Sequence, residues 1–259
     1  MTELSDKATT LARLHDEPEI LRVVNVWDAV SATVIAALPE TRAIATAGHS
    51  IAATFGYPDG EHIPLDLMLD MVARIVSAAG DLPVSADLDA GFGDPGETVR
   101  RAIGVGVVGA NVEDRLRPLA ESTAAVEAIV AAGESEGVAF VLNARTDAFV
   151  RAGDRPLEES IEDAVTRGRA YLSAGATTVF VPGILDAATT RALVDGIGVR
   201  KVSVIGLPGA LTAQEYEDLG VARISYGPMT QRVALTALQD VAADLYRDGA
   251  IPASTRGLN

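Results

Sequence analysis

The chain has 259 residues, of which 48% are apolar, and carries a formal charge of −15 at neutral pH. This acidity excludes a nucleic-acid partner or an anionic membrane surface, and it requires a local cation wherever an anionic substrate binds. There is no cysteine, which excludes disulfides, thiolate nucleophiles and cysteine-type zinc sites.

The N-terminal stretch MTELSDKATTLARLHDEPE is polar and lacks the apolar core of a signal peptide. It reads as a short N-terminal helical segment with His15 in solvent. No apolar run reaches membrane-spanning length, so a cytoplasmic location is expected. Beyond it, short β-branched runs alternate eight times with longer helical patterns. The strand candidates are 21–27, 43–48, 84–90 and 109–114, then 138–146, 177–183, 201–207 and 222–227. The helical candidates are 28–38, 65–80, 95–105, 122–136, 156–175, 187–197, 213–219 and 229–246. In the second of these Leu65, Leu69, Met71, Val72, Ile75 and Val76 fall near one face, and Gly80 closes it.

Several strands are near-continuous apolar runs, as expected when helices cover a parallel sheet. No linker divides the chain. Eight strand–helix units in this length predict a (β/α)8 TIM barrel, a single domain over residues 1–259, with an open doubly wound sheet as the rival.

Such a barrel carries its chemistry at the C-terminal ends of the strands. Those ends read Trp27 and Asp28, Gly48 and His49, Asp87 and Asp89, Glu113 and Asp114, then Arg145, Thr146 and Asp147. Asp87 and Asp89 are two apart, so a strand points both to one side. Side-by-side carboxylates repel, and a hard divalent cation with oxygen ligands would satisfy both, with Glu113 joining from the next strand. A hydrated acidic rim is the alternative. Gly91 and Gly93 suit a sharp turn above them. Arg145 suits a bidentate clamp on a substrate carboxylate, or an ion pair with Glu113 or Asp147. Of the three histidines only His49 stands at a strand end, whereas His62 reads as a surface or lid residue. GVGVVG (Gly104 to Gly109) matches the dinucleotide fingerprint, but a helix precedes it and a strand follows, the reverse of what that fingerprint needs.

NVWDA, GYPDGE, ADLDAGFGD, NVED, NARTDAF and FVPG, taken in order and spacing, resemble the isocitrate lyase and phosphoenolpyruvate mutase superfamily from about Asn25 to about Gly227. The closest likeness is to its short phosphonomutase-like or methylisocitrate-lyase-like bacterial members. The resemblance implies a barrel that assembles as a dimer or tetramer and often exchanges its last helix between subunits. It implies Mg²⁺ (or Mn²⁺) held directly by Asp87, with Asp59, Asp89 and Glu113 acting largely through water. It pairs Arg145 with the substrate carboxylate, whose other end meets the backbone around Ala47, Gly48 and His49. The implied chemistry passes through an enolate of pyruvate or a related 2-oxo acid.

The chain also departs from that pattern. The loop EDRLRPLAES (Glu113 to Ser122) lacks the cysteine with which the lyases deliver a proton. It lacks equally the Lys-Thr-Asn-Ser type sequence of the mutases, and Pro182 stands where they have a histidine. Ala47 replaces a frequent serine. Arg115 and Arg117 either face the variable end of the substrate or form a solvated basic turn. The expected activity is a Mg²⁺-dependent lyase or hydrolase acting on a carbon–carbon bond of a small 2-oxo or 2-hydroxy acid. Carbon–phosphorus chemistry on phosphonopyruvate or a carboxyphosphonate is a second hypothesis, and a non-catalytic metabolite-binding barrel a third.

Overall fold

A computed structural model describes residues 3–258. Its order is α1 (Glu3–Asp16), β1 (Leu21–Val23), β2 (Asn25–Val26), α2 (Ala29–Ala36), β3 (Ile44–Thr46), α3 (Gly48–Thr54), α4 (Leu65–Ala79), β4 (Val84–Asp87), α5 (Pro95–Gly104) and β5 (Gly109–Glu113). It continues with α6 (Leu119–Ser135), β6 (Val141–Arg145), α7 (Leu157–Ser173), β7 (Thr178–Phe180), α8 (Ala187–Ile197), β8 (Val202–Ile205), α9 (Ala213–Asp218), β9 (Arg223–Ser225) and α10 (Met229–Asp248).

All strand pairs are parallel, and the sheet runs β1-β9-β8-β7-β6-β5-β4-β3-β2. The strand expected over 21–27 is divided at Val24, its first half pairing with β9 and its second with β3. One run therefore joins both edges, and the sheet closes into the expected (β/α)8 barrel.

The helices form where apolar spacing and caps coincide. α4 buries Met68 and, three or four residues apart, Leu69, Val72, Ile75 and Ala79, and stops at Gly80 with φ +61°. α5 starts where Asp94 accepts a hydrogen bond from the Glu97 amide and Pro95 presets the first turn. α6 begins three residues before the expected Ser122, because Pro118 ends the preceding loop and Leu119 already has helical backbone. Gly104 ends α5 and Gly109 opens β5, so GVGVVG is the connection between helix and strand.

The expectation for His15 is corrected. α1 is amphipathic, burying Ala8, Leu11, Leu14 and His15, and an added Cβ on Gly109 would collide with Leu11. The helix thus packs against the barrel, and His15 has no exposed surface. Its Nδ1 lies 2.8 Å from the Leu11 carbonyl while its Nε2 has no partner.

α10 is the other departure from a closed ring of helices. Val233, Leu235, Leu238 and Tyr246 are all exposed, Tyr246 to 93%. Beside α10 an apolar groove of about 550 Å³ lies open against α2, lined by Val30, Val34, Ile35, Met229 and Val233. Among the described residues no helix is long and apolar enough to cross a membrane.

Candidate active site

Strand register builds the site in layers. Asp87, Asn111, Asn143 and Thr178 share one row across β4 to β7, and Glu113, Arg145 and Phe180 share a row two residues further along. The lower row is polar where barrels usually place branched apolar side chains. Asn143 donates to Asn111 Oδ1 (2.8 Å) and Ser203 Oγ (3.1 Å), and Thr178 donates to Asn143 Oδ1 (2.8 Å). Arg223 from β9 is buried beside Ser85, its Nη1 3.3 Å from Ser85 Oγ. Burial pushes its pKa down to about 10, opposed by the charge of Asp87.

Above these rows lies a cavity of about 840 Å³ at the C-terminal ends of the strands. His49, Asp59, Asp87, Asp89, Glu113 and Arg145 all line it, together with His62, Asp147, Arg151 and Arg232. Ala47 and Gly48 are not among the residues that line it, and their amides are engaged within the protein. The Ala47 amide donates to Val26 O (3.1 Å) and the Gly48 amide to Asp87 Oδ2 (2.8 Å). A Cβ on Gly48 would sit 3.2 Å from that same oxygen, so the glycine permits the close approach that orients Asp87. His49 is the second residue of the short helix α3, and its Nδ1 pairs with Asp59 Oδ2 at 3.3 Å.

Asp87 and Asp89 face the same cavity, though not as strand neighbours. β4 ends at Asp87, and Asp89 has φ +47°. Gly91 follows at φ +90°, where a Cβ would lie 2.6 Å from Pro95 Cα, so the turn demands glycine. Glu113 ends β5 and lines the cavity, whereas Asp114, the next residue, points the other way. Asp114 faces away from the cavity, accepting from Tyr171 OH (2.6 Å), Arg167 Nη1 (3.2 Å) and the Leu116 and Asp147 amides.

Ion pairing divides the cavity carboxylates into two sets. Glu113 is held by Arg145 Nη1 (2.8 Å) and Arg115 Nε (3.0 Å), and Asp147 by Arg145 Nη2 (2.8 Å) and Arg151 Nε (3.0 Å). Arg145 therefore makes the expected ion pairs with Glu113 and Asp147, and it also lines the cavity. Arg115 is likewise neutralised, by Glu61 and Glu113, and Arg117 turns its Nε to the Asp114 carbonyl.

Asp59, Asp87 and Asp89 have no lysine or arginine partner among the described ion pairs. Burial pushes the Asp87 carboxyl up, against the Gly48 hydrogen bond and the charge of Arg145. Asp89 is pushed up to about 8 by burial and then by Asp87, Asp59, Glu113 and Glu61. Such a site demands a proton or a cation. The all-oxygen donor set fits a hard divalent cation. Among the described residues no three His, Asp or Glu side chains are grouped closely enough to hold a metal by themselves. Asn25 and Ser225 also line the cavity. Sequence reasoning passed over both, and their positions on the closing strands were the available signal.

Comparison with known proteins agrees with this architecture. The chain is 29% identical over 253 residues to a probable 2-methylisocitrate lyase of Corynebacterium glutamicum, covering 90% of this chain and 78% of that one. It is 29% identical over 251 residues to an oxaloacetate decarboxylase of Rhodopseudomonas palustris, covering 92% and 84%. A phosphonomutase candidate of Burkholderia cenocepacia superposes with a TM-score of 0.86 at 36% identity, covering 93% and 99%. The family profile described as Phosphoenolpyruvate phosphomutase matches residues 11–246, and the chain therefore belongs to that family.

Proposed function

We propose that this protein is a divalent-metal-dependent lyase or hydrolase that cleaves a carbon–carbon bond of a small 2-oxo or 2-hydroxy carboxylic acid, through an enolate. The observation that carries the reading is the division of charge in the cavity: Glu113 and Asp147 are neutralised by arginines, whereas Asp59, Asp87 and Asp89 are not. The relatives named as a lyase and a decarboxylase support the same class.

In this reading Asp59, Asp87, Asp89 and Glu113, which line one cavity, would hold Mg²⁺ or Mn²⁺. The cation supplies Lewis-acid polarisation of the 2-oxo group. Arg145 receives the substrate carboxylate on its free N–H groups, and its ion pairs with Glu113 and Asp147 keep the fork oriented. His49 adds a polar contact at the rim. Since the chain has no cysteine, this reading gives the proton transfer to the Asp59–His49 pair, whose contact at 3.3 Å supports it, with Glu113 the buried carboxylate beside the clamp. The exposed apolar residues of α10 and the open groove beside α2 support assembly as a homo-oligomer through the last helix.

The 36% identity to the phosphonomutase candidate favours carbon–phosphorus chemistry as the second reading. Turnover of oxaloacetate, methylisocitrate, 2,3-dimethylmalate and phosphonopyruvate, with and without Mg²⁺, separates the two. Metal-dependent cleavage of a carbon–carbon substrate is expected. Turnover of the phosphonate alone selects the second reading, and oxalate binding without any turnover selects a binding barrel.

A further inference from the structure

Six non-glycine residues among those described have a left-handed backbone: Glu61, Asp89, Phe92, Arg115, Leu116 and Arg200. The first five lie in three loops at the mouth of the cavity: the α3–α4 loop, the loop after β4 and the loop after β5. Glu61 connects all three. Its Oε1 accepts from the Ala90 amide (3.0 Å) and the Phe92 amide (2.6 Å). Its Oε2 pairs with Arg115 Nη2 at 3.1 Å. Arg115 in turn holds Glu113, which holds Arg145. The Glu61 side chain is only 16% exposed, and both its oxygens are occupied.

We propose that Glu61 is a positioning residue, a single carboxylate that clamps the three mouth loops together and, through Arg115 and Glu113, orients the Arg145 fork. The functional half of this inference rests on the carboxylate-clamp reading above, and the structural half does not. The chemistry explains why the residue is a glutamate. One oxygen must accept two backbone N–H groups while the other faces a guanidinium, and left-handed backbone at five neighbouring positions persists only where surrounding contacts hold it. Glutamine can still accept from both amides, but it turns N–H donors toward Arg115 instead of a charge.

Hydrogen exchange on the free protein tests the clamp, with Glu61→Ala and Glu61→Gln compared with wild type. The alanine variant is expected to speed exchange at Ala90 and Phe92 and across 57–63 and 114–117, leaving β5 and β6 unchanged. The glutamine variant is expected to keep Ala90 and Phe92 protected while 114–117 exchanges faster. A second arm titrates oxalate in the presence of Mg²⁺, where breaking the ion-pair line in Glu61→Gln is expected to weaken affinity by about tenfold. In steady-state turnover the same variant is expected to raise KM with kcat little changed. Wild-type exchange rates at Ala90 and Phe92 in Glu61→Ala overturn the clamp. Faster exchange with unaltered oxalate affinity and KM in Glu61→Gln overturns the link to Arg145. Failure of the wild type to bind oxalate refutes the carboxylate reading instead, because the exchange arm needs no ligand.

Discussion

The buried histidine of α1 gives the fold a specific acid sensitivity. Burial, reinforced by the charge of Arg223, lowers the pKa of His15 from its ordinary 6.5 to about 3. The unfolded chain therefore binds a proton at this position more readily than the folded one, and protons favour unfolding. Stability is intact above pH 6.5 and falls as pH drops toward 3, where the folded state titrates too and the loss stops. At about 1.4 kcal/mol per pH unit, the loss is about 1.4 kcal/mol at pH 5.5 and about 2.7 kcal/mol at pH 4.5. Against a typical total of roughly 5–15 kcal/mol, that is a large share. Carboxyls pushed upward, such as Asp89, act in the opposite direction, so the test compares two proteins that share them. His15→Gln removes the titration and retains a side-chain N–H for the Leu11 carbonyl. Urea unfolding at pH 7, 5.5 and 4.5 should show wild type losing stability relative to the variant by those amounts. A difference that stays constant over this range would refute the burial of a neutral His15.

Three further outcomes are expected. Asp87→Asn keeps an acceptor for the Gly48 amide but removes a buried charge; its metal-free melting temperature should exceed that of wild type. At a hundredfold excess of Mg²⁺ over Kd the wild type should gain about 2.7 kcal/mol, or roughly 5–10 °C, and the variant nothing, as read by thermal melts. Arg145→Lys keeps the charge but loses the fork that spans Glu113, Asp147 and the cavity, so Mg²⁺-dependent oxalate binding, measured by calorimetry, should weaken by at least about tenfold. Placing aspartate at Val233 and Leu238, both exposed on α10, should lower the assembled mass seen by light scattering, whereas an unchanged mass would place the subunit contact elsewhere.

How far the sequence could be read follows from which signals are local. The strands and most helices were legible because each writes its own period and caps, and the gathering of Asp87, Glu113 and Arg145 around one cavity because a barrel brings its strand ends together. The union of Glu113 with Arg145 needed only the parallel register of β5 and β6. The role of α1 was misread from overall polarity, although Ala8, Leu11, Leu14 and His15 follow the helical spacing that marks a buried face. Glu61 carried no such mark. Its importance comes from a left-handed backbone and partners 29 to 54 residues away, which no window of sequence contains. The pairing of Gly48 with Asp87 was hidden for the same reason.

The central claim is that the cavity stabilises an enolate with metal, a guanidinium clamp and no cysteine. Pyruvate in heavy water tests it most directly, since exchange of the methyl protons requires only reversible enolate formation. With Mg²⁺ present, NMR should show deuterium entering the methyl group faster than in protein-free solution, with the acceleration lost on metal removal and in Asp87→Asn. An acceleration that persists without metal, or none in metal-loaded protein that binds oxalate, would contradict the account.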